Sequence, residues 1–326
     1  VRNTAVHDWS RAAEAFTSPR TTWDSNPQYN MSAWRPLRNI SYLVDYSLFQ
    51  INPVGYHLHN VLLHALTTVL LFLLLRRLCR LFASATLSSA YINATCMVSA
   101  LIWAVHPVQT EVVAWVKSRD DLLATPFFFA AMLFALPASA NHTAPRIKAL
   151  FLAVLFYIGA LLSKENTVVL AAILPLLLFG LALKWFGPKS YDDSSEEDPL
   201  QQQKPLRRTQ LRYAFWITFA CGLLTVGALA LRDILLGRTA QATYPGSFTE
   251  TLLTMAYAFT RYVQLILWPF PPALQSVDYD GFPVVTSWLH PGALAGLAIL
   301  TALLITADAS RRRAPLVSLG ILIFLI

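Results

Sequence analysis

Charge is what this chain has least of. Only 13% of its 326 residues are Asp, Glu, Lys or Arg, where a soluble domain carries about 25%, and the shortfall excludes an ordinary water-soluble globule. Cysteine is nearly as scarce. Cys79, Cys96 and Cys221 are the only three, and an odd number lying in or beside apolar runs excludes a disulfide framework and says little about redox compartment. No initiator Met and no signal-like hydrophobic stretch opens the chain at VRNTAVHDW, and it stops at ILIFLI in mid-helix, so both ends read as cuts in a longer membrane protein. Repeats of 34 residues are missing, as is the half-to-half symmetry common in transporters.

Apolar residues make up 56% of the chain, and they gather in long runs. These are roughly His57 to Leu75, Ala85 to Val105, Leu122 to Leu136, Ala149 to Leu162, Thr167 to Leu183, Tyr213 to Leu231, Leu252 to Phe270, Gly292 to Ile305 and Ala314 to Ile326. Several approach the ~20 residues that cross a ~30 Å hydrocarbon core, which predicts an all-α polytopic membrane protein. Arg76, Arg77 and Arg80, then Arg146 and Lys148, then Lys184 to Arg212, then Arg311 to Arg313 hold 14 of the 25 basic residues. The first three loops alternate correctly as one side of the membrane, the cytosolic one. Residues 1–56, the loop from His106 to Asp121 and the turn from Ser163 to Asn166 then face the lumen. The sequons at Asn30 and Asn39 fall on the lumenal side and those at Asn93 and Asn141 on the cytosolic side. If residues 252–270 crossed fully, Arg311 to Arg313 would land in the lumen. That run carries Arg261 and ends in WPFPPAL, which favours an amphipathic interfacial or re-entrant segment over a true span. The resulting division is a lumenal loop over 1–56 and a multi-spanning domain over 57–326, with a cytosolic linker at 184–212 and a lumenal or interfacial segment at 232–290. The linker, half acidic and half basic with no apolar periodicity, reads as disordered.

Three lumenal pieces carry polar groups that a bare scaffold would not need. His57, Asn60 and His64 fall at i, i+3 and i+7 of a helix that begins near Pro53, on one face. They form either a hydrogen-bonded interhelical stripe or a cavity wall that binds a phosphate or hydroxyl-rich group; no carboxylate or Cys joins them at metal-ligand spacing. The stretch HPVQTEVVAWVKSRDDLL offers His106, Glu111, Lys117, Arg119, Asp120 and Asp121. A short helix would align Glu111, Trp115 and Arg119, a surface able to stack on a sugar and grip a phosphate; the alternative is an interfacial helix with its charges among the headgroups. In SKEN, Lys164 and Glu165 either cap two helix ends or complete a charged site with the other two loops. Arg35, next to Pro36, is a further cation on this side.

The motifs WRPL, GYHLHNVLLHAL, HPVQTEVVAWVKSRDDLL and LLSKEN, in that order, resemble the transmembrane and tetratricopeptide-repeat containing (TMTC) family and its bacterial relatives. FPPALQSVDYD is similar to that family's membrane domain more loosely. The resemblance implies a GT-C-like bundle with lumenal loops, a multi-pass protein of the endoplasmic reticulum membrane, and transfer of mannose from dolichyl phosphate mannose to Ser or Thr hydroxyls of secretory or membrane proteins, cadherins among them. It implies neither a metal, nor a cofactor beyond the lipid-linked donor, nor a nucleic-acid partner. Arg35, His57, Asn60, His64, His106, Arg119, Lys164 and Glu165 would bind substrate, the cations and donors stabilising charge on the departing phosphate. The base should be a carboxylate. The family's paired acidic motif is expected upstream of residue 1, and within the chain Glu111 and Asp120 are the candidates. The tetratricopeptide repeats would follow the last helix. Rival readings are a non-catalytic scaffold or pseudo-enzyme of the same family, and a transporter.

Overall fold

The computed structural model describes residues 7–17, 34–82, 87–137, 147–183, 185–186, 199–236, 247–269 and 283–326, without the side chains of 199–207 and 236. Within these the elements are helices: α1 (Glu14–Thr17), α2 (Pro36–Phe49), α3 (Pro53–Phe82), α4 (Ser89–Val105), α5 (Gln109–Ala114), α6 (Arg119–Ala135), α7 (Ile147–Ser163), α8 (Leu170–Ala182), α9 (Pro199–Leu236), α10 (Phe248–Leu267), α11 (Pro291–Ser310) and α12 (Pro315–Leu325), with short 3₁₀ turns between some of them. Their starts follow local chemistry. Proline, which lacks the N–H that a first turn leaves unused, opens α2, α3, α11 and α12. Asn52 caps α3 by accepting from the Val54 N–H, Ser88 caps α4, and Ser247 with Glu250 forms a reciprocal capping box on α10.

Among the described residues, four segments are long and apolar enough to cross a membrane: Pro53–Phe82, Glu165–Ala182, Arg208–Leu235 and Pro291–Ser310. Ser89–Val105, Ile147–Ser163 and Pro315–Leu325 are shorter apolar helices. The protein is therefore an all-α polytopic membrane protein. One core runs through α3, α6, α7, α8, α9 and α12, with Leu74, Met132, Tyr157, Leu174, Leu177, Ile217 and Leu319 buried together. Rows of exposed apolar side chains turn outward, among them Leu58, Leu62 and Leu66 on α3 and Phe215, Phe219 and Leu223 on α9. A bilayer is the solvent for such faces.

The bundle has two distinct ends. At one, Arg77 of α3 and Tyr213 of α9 donate to the carbonyls of Leu136 and Ala135, which close α6. At the other lie the starts of α2, α3 and α6 and the α7–α8 turn, where the charged residues meet. Two regions differ from the sequence reading. The basic half of the linker is helical from Pro199 onward, because QQQ and the Arg-rich stretch after it are good helix formers that continue into the apolar run; residues 184 and 187–198 lie outside the described residues. The N-terminal region holds the helix α2, and it buries Asn39 at 4% exposure. Asn30 and Asn141 lie outside the described residues, and Asn93 sits in α4.

Helix α10 is not among the segments apolar enough to span. The Ile266 carbonyl near its C-terminus receives His106 Nε2 at 3.0 Å, at the charged end of the bundle. It crosses α11 in close contact at Gly296, where an added Cβ would overlap the Ala256 carbonyl, and Thr260 Oγ1 donates to the Gly292 carbonyl at 2.7 Å. Small residues at a membrane helix crossing permit such backbone contact. Gly296→Val should push α10 and α11 apart at a cost of about 1–3 kcal/mol. Thermal unfolding of the detergent-solubilised full-length protein measures it, with a lower Tm expected and an unchanged Tm refuting the close crossing.

Candidate functional site

Arg35, Arg38, Tyr42 and Asp45 are spaced three, four and three apart, so they share one face at α2. That face meets the start of α6. Arg119 is wholly buried there, as are Asp45 and Asn60. Its Nε donates to Asn60 Oδ1 at 2.5 Å, Nη2 donates to the Tyr56 carbonyl at 2.9 Å, and Nη1 lies 2.7 Å from Asp45 Oδ2. The guanidinium carbon stands 5.7 Å from the centre of the Tyr42 ring. The second Asp45 oxygen is 2.5 Å from His59 Nδ1. A contact that short needs a proton between the atoms, which assigns N–H to Nδ1 and leaves the nearby Arg119 Nη1, 2.9 Å from the same nitrogen, without a lone pair to bond there. Burial pushes the Tyr42 phenol up to about 12, with Arg38 and Arg119 working in the opposite direction.

A second, partly exposed cluster adjoins this one. Arg35 grips Glu165 with two hydrogen bonds, Nη2 to Oε1 at 2.9 Å and Nε to Oε2 at 3.2 Å, and its Nη1 bonds Asp120. Such two-pronged contacts are the strong ones. Burial works against the Arg35 charge, yet Glu165, Asp120 and Asp121 outweigh it and hold the guanidinium above its ordinary value. Lys164 Nζ donates to both oxygens of Asp121 at 2.5 and 2.6 Å. Arg38 reaches Asp120 only at 4.0 Å, and Arg232 of α9 reaches Glu165 only at 3.9 Å, beyond hydrogen-bonding distance. Burial pushes the Arg38 guanidinium down, with Tyr42 and Asp120 opposing.

Arg35, Asp120, Lys164 and Glu165 thus come together, and Arg119 and Asn60 sit directly behind them. The other expected members do not join. His57 is exposed on α3. His64 bonds the Ala104 carbonyl at 2.9 Å and stacks on Trp103, tying α3 to α4, and His106 bonds α10. Glu111 is exposed and does not line up with Arg119. The reason is a break at Trp115, whose backbone is extended. Asn60 Nδ2 and Tyr42 Oη donate to the Val113 and Val116 carbonyls, claiming acceptors that a continuous helix would have used itself. Trp115 instead carries Lys117 over its ring at 4.9 Å. Among the described residues no group of His, Cys, Asp and Glu is arranged to hold a metal ion.

Arg38, Asp45, His59 and Arg232 were not anticipated. For the first two a signal existed: RPLRNISYLVDY repeats polar residues at helical spacing, visible once the segment is taken as a helix rather than a loop. Arg232 carried no comparable signal, since a lone arginine ending an apolar run reads as an interfacial anchor.

The chain is similar to curated proteins of known type. It is 37% identical over 101 residues to the protein O-mannosyl-transferase TMTC3 of Mus musculus, a match covering 31% of this chain and 10% of that one. It is 29% identical to Tmtc1 of Drosophila melanogaster, covering 76% of this chain and 27% of the relative. With TMTC4 of Mus musculus it shares 25% identity over 92% of this chain and 44% of the relative. The chain thus spans less than half the length of each. No family model matches the chain, and no solved structure matches it.

The Arg119–Asp45 pair yields a stability test. Removing one partner of a buried ion pair leaves the other uncompensated, at about 3–5 kcal/mol, whereas replacing both with apolar groups of similar size is far milder. Arg119→Met and Asp45→Leu singly should each destabilise the full-length protein, and the double variant should recover most of the loss in a thermal-unfolding cycle. Simple additivity of the two effects would refute the coupling.

Proposed function

We propose that this chain is a member of the TMTC family, to whose proteins it is similar, and the membrane-embedded part of a protein O-mannosyltransferase of GT-C type, moving mannose from dolichyl phosphate mannose to Ser or Thr hydroxyls of secretory or membrane proteins at the lumenal face of the endoplasmic reticulum membrane. The observation that carries the reading is the convergence of Arg35, Asp120, Asp121, Lys164 and Glu165, from three separate stretches of sequence, at one end of an apolar bundle. The names of the curated relatives support the same chemistry.

A lipid-linked sugar phosphate keeps its chain in the bilayer, its phosphate at the boundary and its sugar in water. A charged cluster at the end of membrane helices suits that division. Breaking the bond between the sugar and its phosphate builds negative charge on the phosphate, and fixed cations in a partly dry site stabilise it more than water would. Glu165 and Asp120 hold Arg35, and Asp121 holds Lys164, so these carboxylates position cations rather than serving as free bases. The proton of the acceptor hydroxyl then goes to a carboxylate of the acidic motif that the family resemblance expects ahead of this segment. Arg119 acts through Asp45 and Asn60 as a positioning residue.

The test is transfer from labelled dolichyl phosphate mannose by the full-length protein in microsomes. Glu165→Gln, which loosens Arg35, and Lys164→Ala should each lower the rate roughly ten- to a hundredfold, the scale of one charged hydrogen bond, at matched expression. Lys117→Ala, out on the Trp115 ring, should leave it unchanged. Full rates in both Glu165→Gln and Lys164→Ala would overturn the assignment of this cluster.

A further inference from the structure

The end of the bundle away from the charged cluster carries charge of one sign. The apolar run of α3 stops at Leu75 and that of α9 begins at Tyr213, and both helices meet the close of α6 at that level. Arg77 Nη1 donates to the Leu136 carbonyl at 3.5 Å, and Tyr213 Oη donates to the Ala135 carbonyl at 2.6 Å. Arg76, Arg77 and Arg80 on α3 and Arg208 and Arg212 on α9 therefore gather around one helix end. No carboxylate among the described residues forms an ion pair with any of the five. The count of basic loops assigns this end to the cytosol.

Most of these cations have an ordinary explanation. The last carbonyls of α6 attract Arg77, and Arg80, Arg208 and Arg212 are exposed, as a solvated basic rim would be. Arg76 does not fit that account. An arginine that merely anchored a membrane helix would extend outward to the headgroups. This one lies back over Phe72, one turn nearer the bilayer centre, with its guanidinium carbon 5.3 Å from the ring centre. Its Nε is buried and has no acceptor, which asks for an explanation. Leu62, Leu66 and Val69, all exposed, precede it on the same side of α3 at steps of three and four. An apolar row thus runs down the helix and ends on cations that have no countercharge.

We propose that this corner between α3 and α9 holds an acidic phospholipid of the cytosolic leaflet, with an acyl chain along Leu62, Leu66 and Val69 and its phosphate on Arg76. Arg80, Arg208 and Arg212 face the rest of the headgroup. The site lies at the opposite end of the bundle from the sugar-transfer cluster and does not depend on that reading. A phosphate oxygen is the acceptor that Arg76 Nε lacks, and a guanidinium meets phosphate in a planar, two-pronged contact that lysine does not reproduce. A zwitterionic headgroup would bring its own cation into an uncompensated positive field. Net negative charge is therefore what selects the ligand.

The experiment uses the full-length protein in phosphatidylcholine nanodiscs with a graded fraction of phosphatidylinositol, read by native mass spectrometry for retained lipid and by thermal shift. Phosphatidylinositol should be retained beyond its share of the bilayer and should raise the Tm. Arg76→Gln should weaken retention roughly ten- to a hundredfold, the scale of one charged hydrogen bond, with Arg76→Lys in between. Arg80→Gln and Arg212→Gln, at exposed positions where folding is not at stake, should each weaken it roughly fivefold, the share of one basic residue near an anionic surface. Lys117→Ala, at the other end, should behave as wild type. Soluble glycerophosphoinositol should not compete, and competition as tight as that of the lipid overturns the lipid part of the proposal. Retention of phosphatidylinositol only in proportion to its share of the bilayer overturns the whole, as does unchanged affinity in an Arg76→Gln protein whose Tm in pure phosphatidylcholine is that of wild type. Should Arg76→Gln lower that Tm, the two exposed variants decide, and unchanged affinity in both overturns the site.

Discussion

The structure depends on one fully buried guanidinium. Arg119 stands where α2, α3 and α6 meet, and each of its nitrogens is engaged by the first two of these helices. A charge so placed would be prohibitive unless compensated. Asp45 supplies the opposite charge, and Asn60 and the Tyr56 carbonyl supply acceptors. Three helices are thereby fixed in mutual register before any substrate-facing group is considered. Because Asp120 follows Arg119 in the chain, fixing one fixes the other. Arg35 and Glu165 then take their places from Asp120.

The same arrangement explains why the conspicuous charged stretch is not one continuous helix. Hydrogen bonds from Asn60 and Tyr42 take carbonyls out of the segment around Trp115, and the chain kinks there. The kink buries Arg119 and Asp120 and exposes Glu111 and Trp115. Local spacing alone would have placed Glu111 and Arg119 together. Tertiary hydrogen bonds, each worth about 1 kcal/mol net, redirected the backbone.

Much of the fold was legible. Run lengths and the scarcity of charge identified a polytopic helical protein, and the start of α3 was placed near Pro53. The grouping of Arg35, Asp120, Lys164 and Glu165 was legible too, because alternating basic loops put their segments at one end of the membrane. What was not legible lay in the third dimension. The histidines of GYHLHNVLLH proved different by direction: His59 meets Asp45, His64 meets Ala104, and His57 is exposed. Spacing within a helix does not say which neighbour a polar side chain on it will meet. Arg232 is 67 residues beyond Glu165 in sequence and came into view only when α9 was packed beside the α7–α8 turn.

Helix α9 runs through 38 residues, roughly 57 Å at 1.5 Å per residue, nearly twice the ~30 Å hydrocarbon thickness. Its basic beginning therefore stands clear of the hydrocarbon on the face away from the charged cluster, while Arg232 is in the last turns at the other face. An unbroken helix is stiff along its axis. A tilt or axial shift imposed at the far face would move Arg232 relative to Glu165 without any change in the core between them. The length of one helix thus makes the two sides of the membrane mechanically continuous at the cluster.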